Sequence, residues 1–184
     1  MADDGSAASR QAALEEIAED PACAAMLAFW QAHSEGGTLP KPQAIHPTAF
    51  PASLLPKLVI LDVIDGPRFR VRLMGTGLTT AFGVDFTGRF LDEAIPEELL
   101  VTAREHWCAA VAHRRPVYAY AEYRFPDRPS IKNRILMLPL SSDGSIVDRI
   151  LIVFSPKSER LAREAVFGLK PAFDSSARRS YVIL

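Results

Sequence analysis

The chain has 184 residues, of which 48% are hydrophobic and 23% charged, and its formal net charge is -1. This length and composition are typical of one globular domain with flanking segments. The near-neutral charge argues against the strongly basic surface with which proteins bind nucleic acid or anionic membranes.

The two cysteines, Cys23 and Cys108, lie far apart in the sequence, and no CxxC pair occurs. This pattern argues against a zinc site and a disulfide framework, so no metal is predicted and a reducing compartment is the default. The N-terminus lacks a basic stretch followed by an apolar run, and no apolar run reaches the roughly 18 residues that span a bilayer. We therefore expect a cytoplasmic protein that makes no contact with a membrane.

Residues 1–37 are predicted to form a helical N-terminal extension. Asp20-Pro21 divides the helical stretch, because proline starts a helix more readily than it continues one. Met26, Phe29 and Trp30 then recur at helical spacing and form an apolar stripe. Such a stripe is too apolar to remain in water, so it must cover a sheet or a second subunit. The second alternative makes these three residues the interface of a homodimer.

A β-hairpin is predicted after a connector that carries five prolines over residues 38–57. Leu58–Ile64 is apolar and β-branched, as expected of a buried strand. Arg68–Met74 alternates between an apolar and a basic face, which is the pattern of a half-buried strand. The two faces carry Phe69, Val71 and Leu73, and Arg68, Arg70 and Arg72, respectively.

Short helical segments are predicted between this hairpin and the next strand, beginning with residues 75–83. Pro96 suits the first turn of a longer helix, which buries Trp107 and ends before Pro116. Three strands follow, and a last helix is predicted near the end of the chain. The predicted ranges are 117–124, 132–140 and 146–154 for the strands and 157–167 for the helix.

Two strands, a helical excursion and three further strands predict one five-stranded antiparallel sheet. Residues 75–115 are expected to cover its concave face, which makes the fold α+β, with a sheet and a helix layer around one core. The predicted domain boundaries are 1–37 for the N-terminal helices, 38–156 for the sheet domain and 157–184 for a C-terminal helix and tail.

The order of these elements and two sequence motifs resemble the PAS domain superfamily. Arg72-Leu-Met-Gly-Thr-Gly-Leu78 ends the hairpin, and Gly83-Val-Asp-Phe-Thr-Gly88 follows the first short helix. With Trp30 and the Leu39-Pro-Lys-Pro42 connector, these motifs resemble a bacterial family of small single-domain PAS proteins of mostly unknown function. The resemblance covers about residues 26–156. It implies a PAS sheet and a sensory or signalling role through a small ligand or an unidentified signalling protein.

Some members of this superfamily bind haem or flavin, and the sequence argues against both cofactors in this chain. Haem-binding PAS domains use a histidine on the helix before the third strand, where His106 stands. Because Trp107 is expected to face the core, His106 should point sideways or to solvent. Flavin-binding light sensors of the superfamily carry Asn-Cys-Arg-Phe-Leu, and the matching Thr87-Gly-Arg-Phe-Leu91 has Gly88 in place of the cysteine. No cofactor is therefore predicted, and an unknown small ligand is left open.

The sequence contains no motif that assigns a catalytic residue. Gly75-Thr-Gly77 follows a strand and opens a helix, but the dinucleotide fingerprint needs a third glycine where Thr80 stands. The acidic pairs Asp92-Glu93 and Glu97-Glu98 are better explained by helix N-termini than by acid–base catalysis. The G-x-S-x-G, H-E-x-x-H and P-loop patterns do not occur. We predict that the chain is not an enzyme.

Two candidate binding surfaces remain. The arginine row of the hairpin could hold a phosphate-bearing ligand or an acidic partner. It could also pair with cross-strand acids or with the acidic N-terminal helix (Glu15, Glu16, Glu19), and we favour this pairing. The apolar residues expected between sheet and helices line a ligand pocket or fill the core, and the sequence leaves both alternatives open. These residues are Val71, Leu73, Phe82, Phe86, Trp107, Leu136, Leu138, Ile152 and Phe154.

Overall fold

The computed structural model describes residues 6–46, 50–65, 68–95, 97–125, 128–156 and 180–184. The predicted helix near 157–167 lies outside the described residues. The helices are α1 (Ala7–Ala18), α2 (Pro21–Ala32), α3 (Thr76–Phe82), α4 (Leu91–Ala94) and α5 (Glu97–His113). The strands are β1 (Leu58–Ile64), β2 (Arg68–Met74), β3 (Val117–Phe125), β4 (Arg128–Leu140), β5 (Arg149–Pro156) and β6 (Ser180–Ile183).

All six strands belong to one antiparallel sheet, in the order β2-β1-β5-β4-β3-β6. Strand β1 pairs with both β2 and β5, so the hairpin and the three later strands share one layer. The predicted α+β fold is therefore confirmed. The sheet has six strands rather than five, because Ser180–Ile183 pairs with β3 and covers an edge that the prediction left open.

The break between α1 and α2 lies at Asp20-Pro21, as predicted. Pro21 occupies the first position of α2, where the N–H that proline lacks has no partner in the helix. The Asp20 carboxylate caps the same end, accepting from the backbone N–H groups of Ala22 and Cys23 at 2.9 and 3.1 Å. Local chemistry therefore starts α2 independently of what the helix packs against.

The sheet separates two hydrophobic layers, which we call the inner and outer layers. The inner layer lies between the sheet and α3, α4 and α5, and the outer layer lies between the sheet and α1 and α2. Side chains alternate between the layers wherever a strand is regular. On β5, Ile150 and Ile152 face the inner layer, whereas Leu151 and Val153 face the outer one.

No helix in the described part of the chain is long and apolar enough to cross a membrane.

Candidate functional site

The inner layer contains the core of the predicted pocket lining. Val71, Trp107 and Ile152 are buried in it, and Phe86 and Phe154 pack against it while partly buried. Helix α5 brings Trp107 there because its apolar positions recur every three or four residues. The indole meets the ring of Phe69 edge to face, with the ring centroids 5.1 Å apart.

Two of the predicted lining residues lie on the other side of the sheet. Leu136 and Leu138 are fully buried in the outer layer, and their neighbour Met137 faces the inner layer in their place. The prediction was wrong because residues 135–140 are almost uniformly apolar, so alternation does not indicate which face is which. The register decides it, since Met137 lies opposite Ile152.

Leu73 and Phe82, also predicted to line the pocket, are exposed by 43% and 38%. A β-bulge turns Leu73 outward: Ile60 lies opposite Leu73 but Leu61 lies opposite Val71, so β2 contains one extra residue. An extra residue reverses the alternation beyond it. Phe82 is the last residue of α3, where Gly83 takes a left-handed φ of 70° and turns the chain.

His106 is buried rather than turned to solvent, with an exposure of 6%. Its ring meets the ring of Tyr181 in an edge-to-face contact, with the centroids 5.0 Å apart. Tyr181 lies on β6, the strand that the sequence did not predict, and the expectation of a solvated histidine was wrong for this reason. Among the described residues, no group of three or more His, Cys, Asp or Glu side chains could hold a metal ion.

The segment that matches the light-sensor motif does not fit a flavin that reacts with a protein thiol. Gly88 stands at the cysteine position with a left-handed φ of 82°, a conformation that favours glycine. Its N–H donates to the Val71 carbonyl at 2.7 Å, which holds the segment along the edge of β2. The thiol of Cys108 lies on α5, where burial raises its pKa.

Packing explains the glycines of Gly75-Thr-Gly77. A Cβ atom at Gly75 would lie 2.5 Å from the carbonyl oxygens of both Leu55 and Pro56, and one at Gly77 would lie 2.9 Å from the Pro56 oxygen. Only glycine allows the connector backbone to approach α3 so closely. These glycines serve the structure, in agreement with the interpretation that rejected a dinucleotide loop.

The apolar stripe of α2 lies on the chain's own sheet. Met26 is fully buried in the outer layer, and Phe29 packs edge to face on Phe50 with the ring centroids 4.7 Å apart. The Trp30 indole N–H donates to the Pro139 carbonyl at 2.7 Å. Of the two alternatives left open by the sequence, covering a sheet is the one observed. A homodimer through this stripe would first require α2 to detach.

Buried polar contacts fasten α1 and α2 to the sheet. Arg134 of β4 lies 3.3 Å from the Asp20 carboxylate. Burial alone would raise the pKa of Asp20, but hydrogen bonds from Ser155 and from the cap, with the Arg134 charge, hold this pKa below its ordinary value. The Tyr118 hydroxyl donates to Glu16 at 2.7 Å. We call these contacts the outer-layer anchors.

The arginine row pairs with acids, as favoured, but not with the predicted N-terminal ones. Arg70 and Arg72 contact the cross-strand Asp62 at 3.0 and 2.6 Å. Arg68 contacts Asp92 at 2.8 Å and also pairs with Glu93. The hydrogen bond from Arg68 lowers the pKa of Asp92, so Asp92 is held as a carboxylate.

A family model for the PAS domain matches residues 18–154 of the chain. The chain belongs to the PAS domain family. No curated protein matches the sequence.

Several solved structures of light-oxygen-voltage domains are similar to the chain. One, from a study of a flavin analogue, is 18% identical with a TM-score of 0.41, covering 61% of this chain and 85% of that one. The light-state domain of the blue-light photoreceptor Aureochrome1 is 20% identical with a TM-score of 0.40, covering 62% and 91%. The light-oxygen-voltage protein of Rhodobacter sphaeroides is 10% identical with a TM-score of 0.42, covering 73% and 68%.

Proposed function

We propose that the chain is a PAS-type sensory or signalling module that regulates another protein, with α1 and α2 as the responding element. The observation that carries this proposal is the way these helices are attached. An apolar stripe holds α2 on the sheet. Directional polar contacts at Asp20 and Trp30 fix the position of α2, and the contact of Tyr118 with Glu16 fixes that of α1. Such contacts have strict geometry, so docking has two distinct states rather than a continuum.

A small molecule between the sheet and α5 would supply the input. Phe86 and Phe154 support this placement, because both rings pack against the buried inner layer and are only partly buried themselves. Aromatic side chains at the margin of an apolar layer are the contacts that small-molecule sites use. With Gly88 at the cysteine position, this input would not be a flavin that bonds a protein thiol.

The sheet offers a short physical connection between the two layers. On β5, Ile152 faces the inner layer, and three residues later Ser155 bonds Asp20 in the outer layer. On β4, Met137 faces inward and Arg134 holds Asp20. A ligand that displaces Ile152 or Met137 therefore strains the strands that carry Ser155 and Arg134, the two residues that hold the Asp20 cap of α2.

A test of this function uses the purified full chain. A native mass spectrum and an absorbance scan should detect a co-purifying compound that is released on denaturation. Amide hydrogen exchange of α2 should then differ between the loaded protein and the protein stripped of that compound. Identical exchange in the two forms would overturn α1 and α2 as the responding element.

A second candidate function is a ligand-free interaction scaffold, which one observation favours. The edge-to-face contact of Phe69 with Trp107 places two large rings between β2 and α5, in the space where a ligand would lie. A native mass equal to the sequence mass would support the scaffold, and the same spectrum would show whether the chain is the expected homodimer. Neither candidate function includes catalysis, and that the chain is not an enzyme stays a prediction.

A further inference from the structure

Three arginines surround one carboxylate on the outer face of the sheet. Asp62 of β1 is contacted by Arg70 at 3.0 Å, by Arg72 at 2.6 Å and by Arg149 at 3.4 Å. The side chain of Asp62 is 9% exposed, whereas those of the three arginines are 41%, 48% and 26% exposed. We call these four residues the arginine cluster.

The strand register builds this cluster. Arg70 lies opposite Asp62 across β1 and β2, and Arg149 lies opposite it across β1 and β5. Arg72 is the extra residue of the β2 bulge, which brings its guanidinium back to the same carboxylate. The sequence predicted the row on β2 but not the contribution of Arg149 from a strand almost 80 residues later.

The charges of the cluster do not balance among the described contacts. A carboxylate carries one negative charge, and a guanidinium presents five N–H donors in a planar fork. Asp62 faces three such forks, while the neighbouring Arg68 is itself matched by two acids, Asp92 and Glu93. The cluster therefore displays an excess of two positive charges beside partly exposed guanidinium groups, which suits carboxylate ligands.

An exposed apolar side chain adjoins these charges. Leu73 lies opposite Ile60 on the same face and is 43% exposed. A cationic surface with an apolar neighbour matches a protein segment in which acidic and apolar residues alternate, because arginine and apolar contacts together dominate such interfaces.

We propose that the arginine cluster and Leu73 form the docking site for an acidic, leucine-bearing segment of a partner protein. This inference rests on the proposed function, for which it supplies the chemistry of the partner. The charge complementarity excludes the chain's own residues 157–179 as the occupant, since they contain six basic and three acidic residues.

The test measures binding of a short fluorescent peptide of alternating glutamate and leucine to the full chain. We expect binding that weakens with added salt, and no binding of the lysine–leucine counterpart. Arg70→Gln with Arg72→Gln should weaken binding by about tenfold or more, the factor that a charge-assisted hydrogen bond supplies. Leu73→Ser should weaken it by a smaller factor.

Arg89→Gln is the matched control, because Arg89 is an exposed arginine outside the cluster whose guanidinium lies 5.9 Å from the ring centre of Phe86. It removes the same charge and should leave peptide affinity unchanged. Equal losses for the control and the double variant would show diffuse charge attraction and overturn the site. Direct binding of inorganic phosphate without any peptide binding would assign the cluster to a small anion and overturn the protein partner.

Light scattering on the chain alone tests whether a second copy of the chain occupies this surface. A dimer that the Arg70→Gln, Arg72→Gln variant dissociates would assign the surface to a second copy and overturn the proposal. A species whose mass the variant does not change supports it. Failure of peptide binding leaves the hydrogen-exchange test of α2 unaffected, so the two proposals fail separately.

Discussion

The two faces of the sheet are covered in chemically different ways. The inner layer is apolar and contains an aromatic pair, Phe69 and Trp107. The outer layer adds buried polar anchors, of which Asp20 with Arg134 is the most enclosed, with side chains only 6% and 11% exposed. Apolar contact is non-directional and tolerates small shifts, whereas a buried ion pair is costly once one partner leaves. We therefore expect the polar contacts of the outer layer to break together rather than one at a time.

The largest expected effect tests the apolar side of this comparison. Trp107→Ala should lower the free energy of unfolding by about 3–5 kcal/mol, the cost of deleting a large buried aromatic side chain. Urea unfolding measures it. Val101→Ala on the same helix is the control, since Val101 is 49% exposed and should change stability by less than about 0.5 kcal/mol. Similar losses for both variants would contradict the described burial of α5.

A somewhat smaller effect tests the polar side. Asp20→Ala removes the cap of α2 and leaves Arg134 buried without this carboxylate, so unfolding should become easier by about 3 kcal/mol. Glu19→Ala is the control, because Glu19 is 74% exposed at 3.6 Å from the same arginine and should cost under about 1 kcal/mol. Hydrogen exchange should show α2 opening before the inner layer in the Asp20 variant, and uniform opening would contradict separate layers.

The close contact between α3 and the connector before β1 is tested by Gly75→Ala. The added Cβ would lie 2.5 Å from the carbonyl oxygens of Leu55 and Pro56, so the connector must move away from α3. Such overpacking should cost about 2 kcal/mol in thermal or urea unfolding. Thr76→Ala next to it, at an exposed position, should cost under about 0.5 kcal/mol. An unchanged stability of the glycine variant would contradict the close approach.

A smaller effect isolates a single anchor. Tyr118→Phe removes the hydroxyl that donates to Glu16 at 2.7 Å, so stability should fall by about 1.5 kcal/mol, the lower end for a hydrogen bond to a charged group. Glu16→Gln keeps an acceptor and should cost less than the tyrosine change. The reverse order of the two losses would show that charge rather than hydrogen bonding matters at this anchor.

The smallest effect concerns pH. The folded-state pKa of Asp20 is lowered from 3.8, so its contribution to stability is present above about pH 4 and is lost as the pH falls through the folded value. Trp30 lies on α2 and contacts both layers, whereas Trp107 lies in the inner layer alone. In acid titrations of the Trp107→Phe and Trp30→Phe variants, Trp30 fluorescence should change at the higher pH. Asp20→Asn should bring the two midpoints together.

Local chemistry made several features predictable. The hairpin follows from the alternation in β2, the start of α2 follows from Asp20-Pro21, and the left-handed turn at Gly88 follows from glycine's conformational freedom. The pairing of Arg70 and Arg72 with a cross-strand acid was also predictable, because facing positions on neighbouring strands lie close together.

Other features depended on contacts between segments that are distant in sequence. The faces of Leu136 and Leu138 depended on register in a uniformly apolar strand, and that of Leu73 on a bulge. The burial of His106 required a strand that the last residues form only by pairing with β3.

The sequence by itself thus determined the class of fold, the order of its elements and the residues available to its layers, since these depend on periodicity and local turn chemistry. Only the tertiary structure decided which layer each residue joined and which charges met, Arg149 with Asp62 above all. The physical reason is that strand register and edge pairing are set by long-range packing, and a shift of one residue reverses every side chain beyond it.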